Sequence, residues 1–131
     1  MRATLLIFAI AVVFFPGCGK SKLATVNGAI TINGKPAEAG SIAFFPTNGK
    51  SPTAGGEIHD GRYTTAVTPG PAKVEIRVPK QVGEKKLYGT TSGPERPIFV
   101  ELLPPKYNDA TELQFDVQQG NNQHDFSLTT K

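Results

Sequence analysis

The chain has no tryptophan, one cysteine, one methionine and only two histidines, and each shortage closes off a class of function. A lone Cys18 excludes an intramolecular disulfide. His59 and His124 are too few for a three-histidine zinc centre and stand in no HExxH spacing, although Glu57 shares a strand face with His59 and Asp60 or Asp125 lies close in sequence. Both histidines neighbour aspartates at strand ends, where solvated turn positions are the ordinary reading. No GxSxG elbow and no glycine-rich loop followed by Lys-Ser/Thr is present. Charge is also scarce in one sense: the formal balance is only +3, with no Arg/Lys stripe, so nucleic acid is not an expected partner. After Cys18, Gly and Pro interrupt every stretch that might keep a 3.6-residue apolar period, which excludes a convincing helix. Nothing in these residues calls for a catalytic group, a metal or another cofactor.

What is there begins with an apolar run from Leu5 to Phe15 behind Arg2, ending in Phe15-Pro16-Gly17-Cys18. The run is shorter than the roughly 20 residues of a membrane span and has the layout of a secretory signal. It resembles a bacterial lipoprotein signal, in which a small residue precedes the cysteine that becomes lipidated. That resemblance implies a signal peptide over 1–17, a lipid (diacylglyceryl and palmitate) on Cys18, and a tether over 18–23. The chain is then expected to be exported and membrane-anchored, facing the periplasm or cell surface.

Residues 24–131 read as one domain of short strands. Val26, Ile30 and Ile32 share one parity, as do Tyr63, Thr65 and Val67. Val74, Ile76 and Val78 alternate with Lys73, Glu75 and Arg77, the pattern of a sheet with one face buried and one wet. Gly28 interrupts the first strand and marks a bulge or a close backbone approach. Asn33-Gly34 and Asp60-Gly61 are hairpin signals. Pro36 follows the first so closely that a longer connection through Ala37–Gly40 is expected there. Ile42, Phe44, Ile58, Leu113, Phe115, Val117, Phe126 and Leu128 complete the expected core.

About seven strands in this arrangement favour a sandwich. The exception is 80–110, a stretch rich in Gly, Pro and charge that reads as an unusually long loop, with 97–103 as a possible extra edge strand. Within it Tyr88, Phe99 and Tyr107 lie among Lys80, Lys85, Lys86 and Arg96. Aromatics among bases make these the candidate binding residues, for an envelope polysaccharide or a partner protein. The structural alternative is that Phe99 and Tyr107 pack the loop onto the sandwich while the bases are simply solvated.

The order Val26-Asn27-Gly28, Ile32-Asn33-Gly34-Lys35-Pro36, Gly40-Ser41-Ile42-Ala43-Phe44-Phe45-Pro46, Asp60-Gly61-Arg62-Tyr63 and Pro69-Gly70-Pro71-Ala72-Lys73-Val74 resembles the carboxypeptidase regulatory-like (transthyretin-like) domain. With Pro104–Asn108 and Asn122–Leu128, it is similar to small lipoproteins of planctomycete type built on that domain. The resemblance implies an all-β fold, a seven-stranded antiparallel Greek-key β-sandwich, and no peptidase activity, since that resides in a separate catalytic domain. The expected role is non-enzymatic, structural or adhesive; the alternative is a carbohydrate- or peptide-binding module acting through the 80–110 loop.

Overall fold

Alternation in the sequence becomes alternation in burial. In β1 (Ala24–Ile32) every second residue is buried, from Ala24 through Val26, Gly28 and Ile30 to Ile32, and β5 (Arg62–Val67) and β6 (Gly70–Arg77) repeat the pattern. These strands belong to a computed structural model that describes residues 23–86, 89 and 93–131. The expected signal peptide, Cys18, most of the tether and Tyr88 lie outside the described residues.

The remaining strands are β2 (Lys35–Pro36), β3 (Ala39–Pro46), β4 (Ala54–His59), β7 (Pro79–Lys86), β8 (Glu95–Glu101), β9 (Gln114–Val117), β10 (Asn121–Gln123) and β11 (Phe126–Leu128). No α-helix occurs among the described residues; a 3-10 turn spans Pro105–Tyr107. The fold is all-β. Its main sheet runs β10-β1-β5-β4-β3-β6-β9, with β2 and β11 also on β1. Most pairings are antiparallel, but β10 and β11 run parallel to β1 in one continuous register, Thr25 opposite Asn121 and Ile32 opposite Leu128. Side chains from β1 and from β6, far apart in the strand order, join one buried cluster, so the sheet curls until its apolar face meets itself.

The two hairpin signals are real turns. Asn33 and Gly34 have φ of 52° and 82°, Asp60 and Gly61 of 49° and 74°, the left-handed pair that a two-residue hairpin needs. The expectation of a longer connection after Asn33-Gly34 is corrected: Ile32 pairs directly with Lys35, and Pro36 stands opposite Thr31. Pro36 is tolerated because the bonds on either side bypass it. The Ala37 N–H donates to the Ile30 carbonyl at 3.0 Å, leaving the proline at a position that needs no donor.

The buried cluster includes Val26, Ile30, Ile42, Phe44, Ile58, Tyr63, Val67, Val74, Ile76, Val117, Phe126 and Leu128. Leu113 and Phe115 are only half-buried, because they lie just before and within β9 at the rim of the sheet, while Ala24, Ala37, Ala72 and Leu103 are buried with the rest. Among the described residues the core runs from Ala24 to Leu128.

The segment 80–110 is not a loop. Residues 80–86 and 95–101 belong to a separate two-stranded sheet of β7 and β8, joined from Pro79–Glu101 to Lys86–Glu95 with a bulge between Gln81 and Gly83. Residues 97–101 pair with β7 and with no strand of the main sheet. Beyond the arm, residues 102–113 pack along β6: the Val74 N–H donates to the Leu113 carbonyl at 3.0 Å, the Thr111 hydroxyl donates to the Val74 carbonyl, and Arg77 pairs with Asp109 at 2.6 Å.

The antiparallel layout gives the body two poles. Ala24 lies beside Val67, with Pro46, Ala72 and Val117 at the same end. The other end carries the Asn33-Gly34 and Asp60-Gly61 turns, the start of β3 and the exit of β6 into the arm. Nine extended residues of β1 separate the poles, a span of about 30 Å.

Candidate functional site

The arm is where this chain breaks the burial rule. Every residue of β7 and β8 is exposed, including Val82, Ile98, Phe99 and Val100 at 42–56%. The strands of the main sheet bury most of their large apolar side chains, so four in solvent on one ribbon are not a shortage of core but uncovered surface. An isolated two-stranded ribbon is marginal in water and normally needs a third strand or a packed face.

Local sequence explains why the ribbon forms and stays apart. The extended run of β-branched Ile98 and Val100 with aromatic Phe99 opposes Lys80-Gln81 and Gly83, and the charges on Lys80, Glu84, Lys85, Lys86, Glu95 and Arg96 keep both strands from entering the core. At the root, the Glu101 carboxylate accepts from the N–H of Val78 at 2.9 Å and of Leu103 at 3.0 Å, through one oxygen. The Leu102 N–H donates to the Val78 carbonyl at 3.0 Å, and Leu103 is buried. A firm root therefore carries an uncovered arm.

Of the candidate binding residues, Lys85, Lys86, Arg96 and Phe99 are all on the arm and all exposed. Phe99 does not pack the segment onto the body. Lys86 lies 3.9 Å from Glu95. Tyr107 is separate from them: half-buried against the core, it carries Lys106 over its ring at 5.1 Å and receives the Thr129 N–H on its hydroxyl at 3.2 Å. The Thr129 hydroxyl first, and that N–H second, hold the Tyr107 phenol below its usual range. Tyr107 ties the 3-10 turn to the last strand. A cleft of about 650 Å³, lined by Ile32, Pro36, Ala37, Val78, Pro79 and Leu102 among others, opens between the arm's root and the β1–β2 hairpin. Sequence reasoning passed over this cleft because its two walls are distant in the chain.

The histidines do not converge on a metal. The His59 and Glu57 side chains meet at 2.9 Å in solvent. His124 stacks on Phe115 and meets the edge of Phe126, each at 4.7 Å, a packing role rather than the solvated turn position expected for it. Among the described residues no group of three His, Cys, Asp or Glu is placed to hold an ion, and no helix is long and apolar enough to cross a membrane.

No protein-family model matches the sequence, and no curated protein is similar to it. Among solved structures, a 9R-lipoxygenase from Cyanothece PCC8801 aligns with a TM-score of 0.41 and 13% identity, over 82% of this chain and 16% of that one. The chain thus spans about a sixth of that enzyme's length, and a likeness this low carries no argument.

Proposed function

We propose that this chain is a non-enzymatic adhesive module of the cell envelope, whose contact element is the arm of β7 and β8. On this reading the curled sheet is a seven-stranded Greek-key sandwich of the carboxypeptidase regulatory-like, transthyretin-like kind, the short strands being segments of longer ones. It is exported and held on a membrane through lipid on Cys18, with residues 24–131 as the displayed domain. The observation that carries the reading is the arm itself: Val82, Ile98, Phe99 and Val100 exposed on a ribbon that pairs with no other strand among the described residues. Such a surface is stable in a cell only when a partner covers it.

Two measurements test it. Intact mass and fatty-acid labelling, beside Cys18→Ala, are expected to show a diacylglyceryl adduct that the variant loses; an unmodified cysteine overturns the anchor. For the arm, Pro79 and Glu101 form a cross-strand pair, so Lys80–Val100 can be replaced by Asn-Gly, closing the ribbon at its root with a two-residue turn. The shortened chain is expected to fold and to lose retention on isolated envelopes. Retention at the level of the intact chain overturns the contact element.

A second reading is favoured by the cleft at the arm's root: a carbohydrate- or peptide-binding module that takes an extended ligand between the arm and the β1–β2 hairpin. Val78→Trp or Leu102→Trp, in a chain without tryptophan, would report such a ligand by fluorescence; no response to envelope glycans or peptides removes this reading.

A further inference from the structure

Residues directly opposite on a two-stranded ribbon share a face. The pairs Lys80–Val100, Gly83–Ile98 and Lys85–Arg96 therefore lie on one face of the arm, and Pro79–Glu101, Gln81–Phe99, Glu84–Pro97 and Lys86–Glu95 on the other. The charges sort by face. All the acids of β7 and β8, Glu84, Glu95 and Glu101, are on the second face. Glu84 and Glu95 interact closely enough to raise the Glu95 carboxyl above its usual range, and Glu95 meets Lys86 at 3.9 Å. The first face holds Lys80, Lys85 and Arg96 with two aliphatic side chains, Ile98 at 42% and Val100 at 46% exposure, and no acid at all.

Two features of this face oppose the stability of the arm taken alone. Lys85 and Arg96 are like charges directly across from one another, an unfavourable pair in the absence of an anion. Ile98 and Val100 stand in water between cations. Both become favourable against one kind of surface, in which anionic headgroups neutralise the bases and the aliphatic chains enter the headgroup–acyl boundary. A polysaccharide fits less well, because among the described residues of the ribbon the aromatic side chain, Phe99, is on the opposite face, and this face offers a sugar no ring to stack on. A second copy fits less well too: two basic faces repel, and a basic face on an acidic one builds an open head-to-tail array rather than a closed dimer.

We propose that the face formed by Lys80, Lys85, Arg96, Ile98 and Val100 docks on an anionic lipid bilayer. This rests on the arm being the contact element, and it names what the arm contacts. The arm that carries this face leaves the body at the pole remote from Ala24, where the chain enters the domain.

The test uses the chain from Cys18 onward with Cys18→Ser, which retains every core residue and bears no lipid. It is co-sedimented with vesicles of phosphatidylglycerol and phosphatidylcholine, or of phosphatidylcholine alone. Binding is expected only to the anionic vesicles and is expected to weaken with salt. K80Q/K85Q/R96Q should lower the partition coefficient roughly a hundredfold, about fivefold for each cation, and I98S/V100S should lower it further. Lys86→Gln, on the other face, should leave it within about twofold. All these side chains are exposed, and unchanged melting curves verify that the variants fold. Equal binding to neutral vesicles, no binding to either, or equal losses from K80Q/K85Q/R96Q and Lys86→Gln overturns the lipid proposal. So does capture by a soluble acidic polymer, or self-association, in place of vesicle binding. Should vesicles fail while the arm-shortened chain still loses envelope retention, the contact element stands and only its lipid partner is wrong. If that chain keeps its retention, the contact element itself is wrong.

Discussion

The Tyr63 hydroxyl donates to the carbonyl oxygen of His124 at 2.7 Å, where the link between β10 and β11 presses against the backbone of Gly28. A Cβ added at Gly28 would stand 1.8 Å from that same oxygen. The carbonyl is thus sealed between β1 and a buried tyrosine, and these groups hold the parallel C-terminal strand onto the sheet. Asp125 continues the contact by accepting the Ala29 N–H at 2.8 Å. Tyr63→Phe keeps the ring but leaves the carbonyl unserved. The expected loss is about 1–3 kcal/mol, read from urea unfolding of the two proteins.

The same tyrosine gives the fold an alkaline limit. Burial first, and the nearby Asp125 carboxylate second, push the Tyr63 phenol well above its usual value. A raised folded-state value means that the unfolded chain releases this proton first. The contribution is fully present below the unfolded phenol's pKa of about 10 and declines as pH climbs above it. Stability measured from pH 9 to 12 is expected to fall more steeply for the natural chain than for Tyr63→Phe. Parallel curves would show that the phenol is not shielded.

Gly28 and Gly83 make a matched pair for testing close approach. Gly28→Ala drives a methyl into backbone, and nothing flexible can yield. It is expected to cost more than about 3 kcal/mol or to free the C-terminal strand. Gly83→Ala, on the arm, meets no heavy atom within 4 Å, so body stability should change by less than about 0.5 kcal/mol. Thermal melts of the two variants decide this.

Asn122, which is 8% exposed, donates to the carbonyls of Thr25 at 3.2 Å and Gln118 at 2.8 Å and accepts the Gln118 N–H at 2.9 Å. One side chain thereby closes the β9–β10 turn and fixes it to β1. Asn122→Ala leaves these groups without a protein partner and is expected to cost about 2–4 kcal/mol. Asn122→Asp retains an acceptor but cannot donate to either carbonyl, so it should be no better.

Much of this was legible in the chain, and the reasons are local. Val74, Ile76 and Val78 alternate with charges because one face is buried. Asn33-Gly34 and Asp60-Gly61 announce turns because few other residues accept φ above zero. Gly28 signals close approach because a glycine in an apolar face has few other uses. What was not legible is non-local. Nothing in Asn121–Leu128 says that it pairs parallel to β1, or that Arg77 will meet Asp109. The small core residues Ala24, Ala37 and Ala72 carry no hydrophobic weight until neighbours enclose them. The arm was hidden because apolar period marks strands that bury a face, and Lys80–Lys86 buries none. The candidate bases were visible one by one, but their division into two faces depends on the register and on the bulge at Val82.

The root of the arm yields the last prediction. A single Glu101 oxygen receives both the Val78 and the Leu103 N–H, fastening the ribbon at the point where it leaves the body. Removing that acceptor should loosen the arm without touching the buried cluster, to which Glu101 does not belong. Glu101→Ala is therefore expected to speed hydrogen exchange at the Val78 and Leu103 amides by tenfold or more, the kinetic counterpart of about 1.4 kcal/mol. Core amides such as Ile42 and Val74 should keep their protection. Glu101→Gln retains an acceptor oxygen and should restore most of the protection at the root. If both variants exchange like the natural chain, the carboxylate does not fasten the arm, and the Leu102–Val78 bond with Leu103 burial must hold it instead.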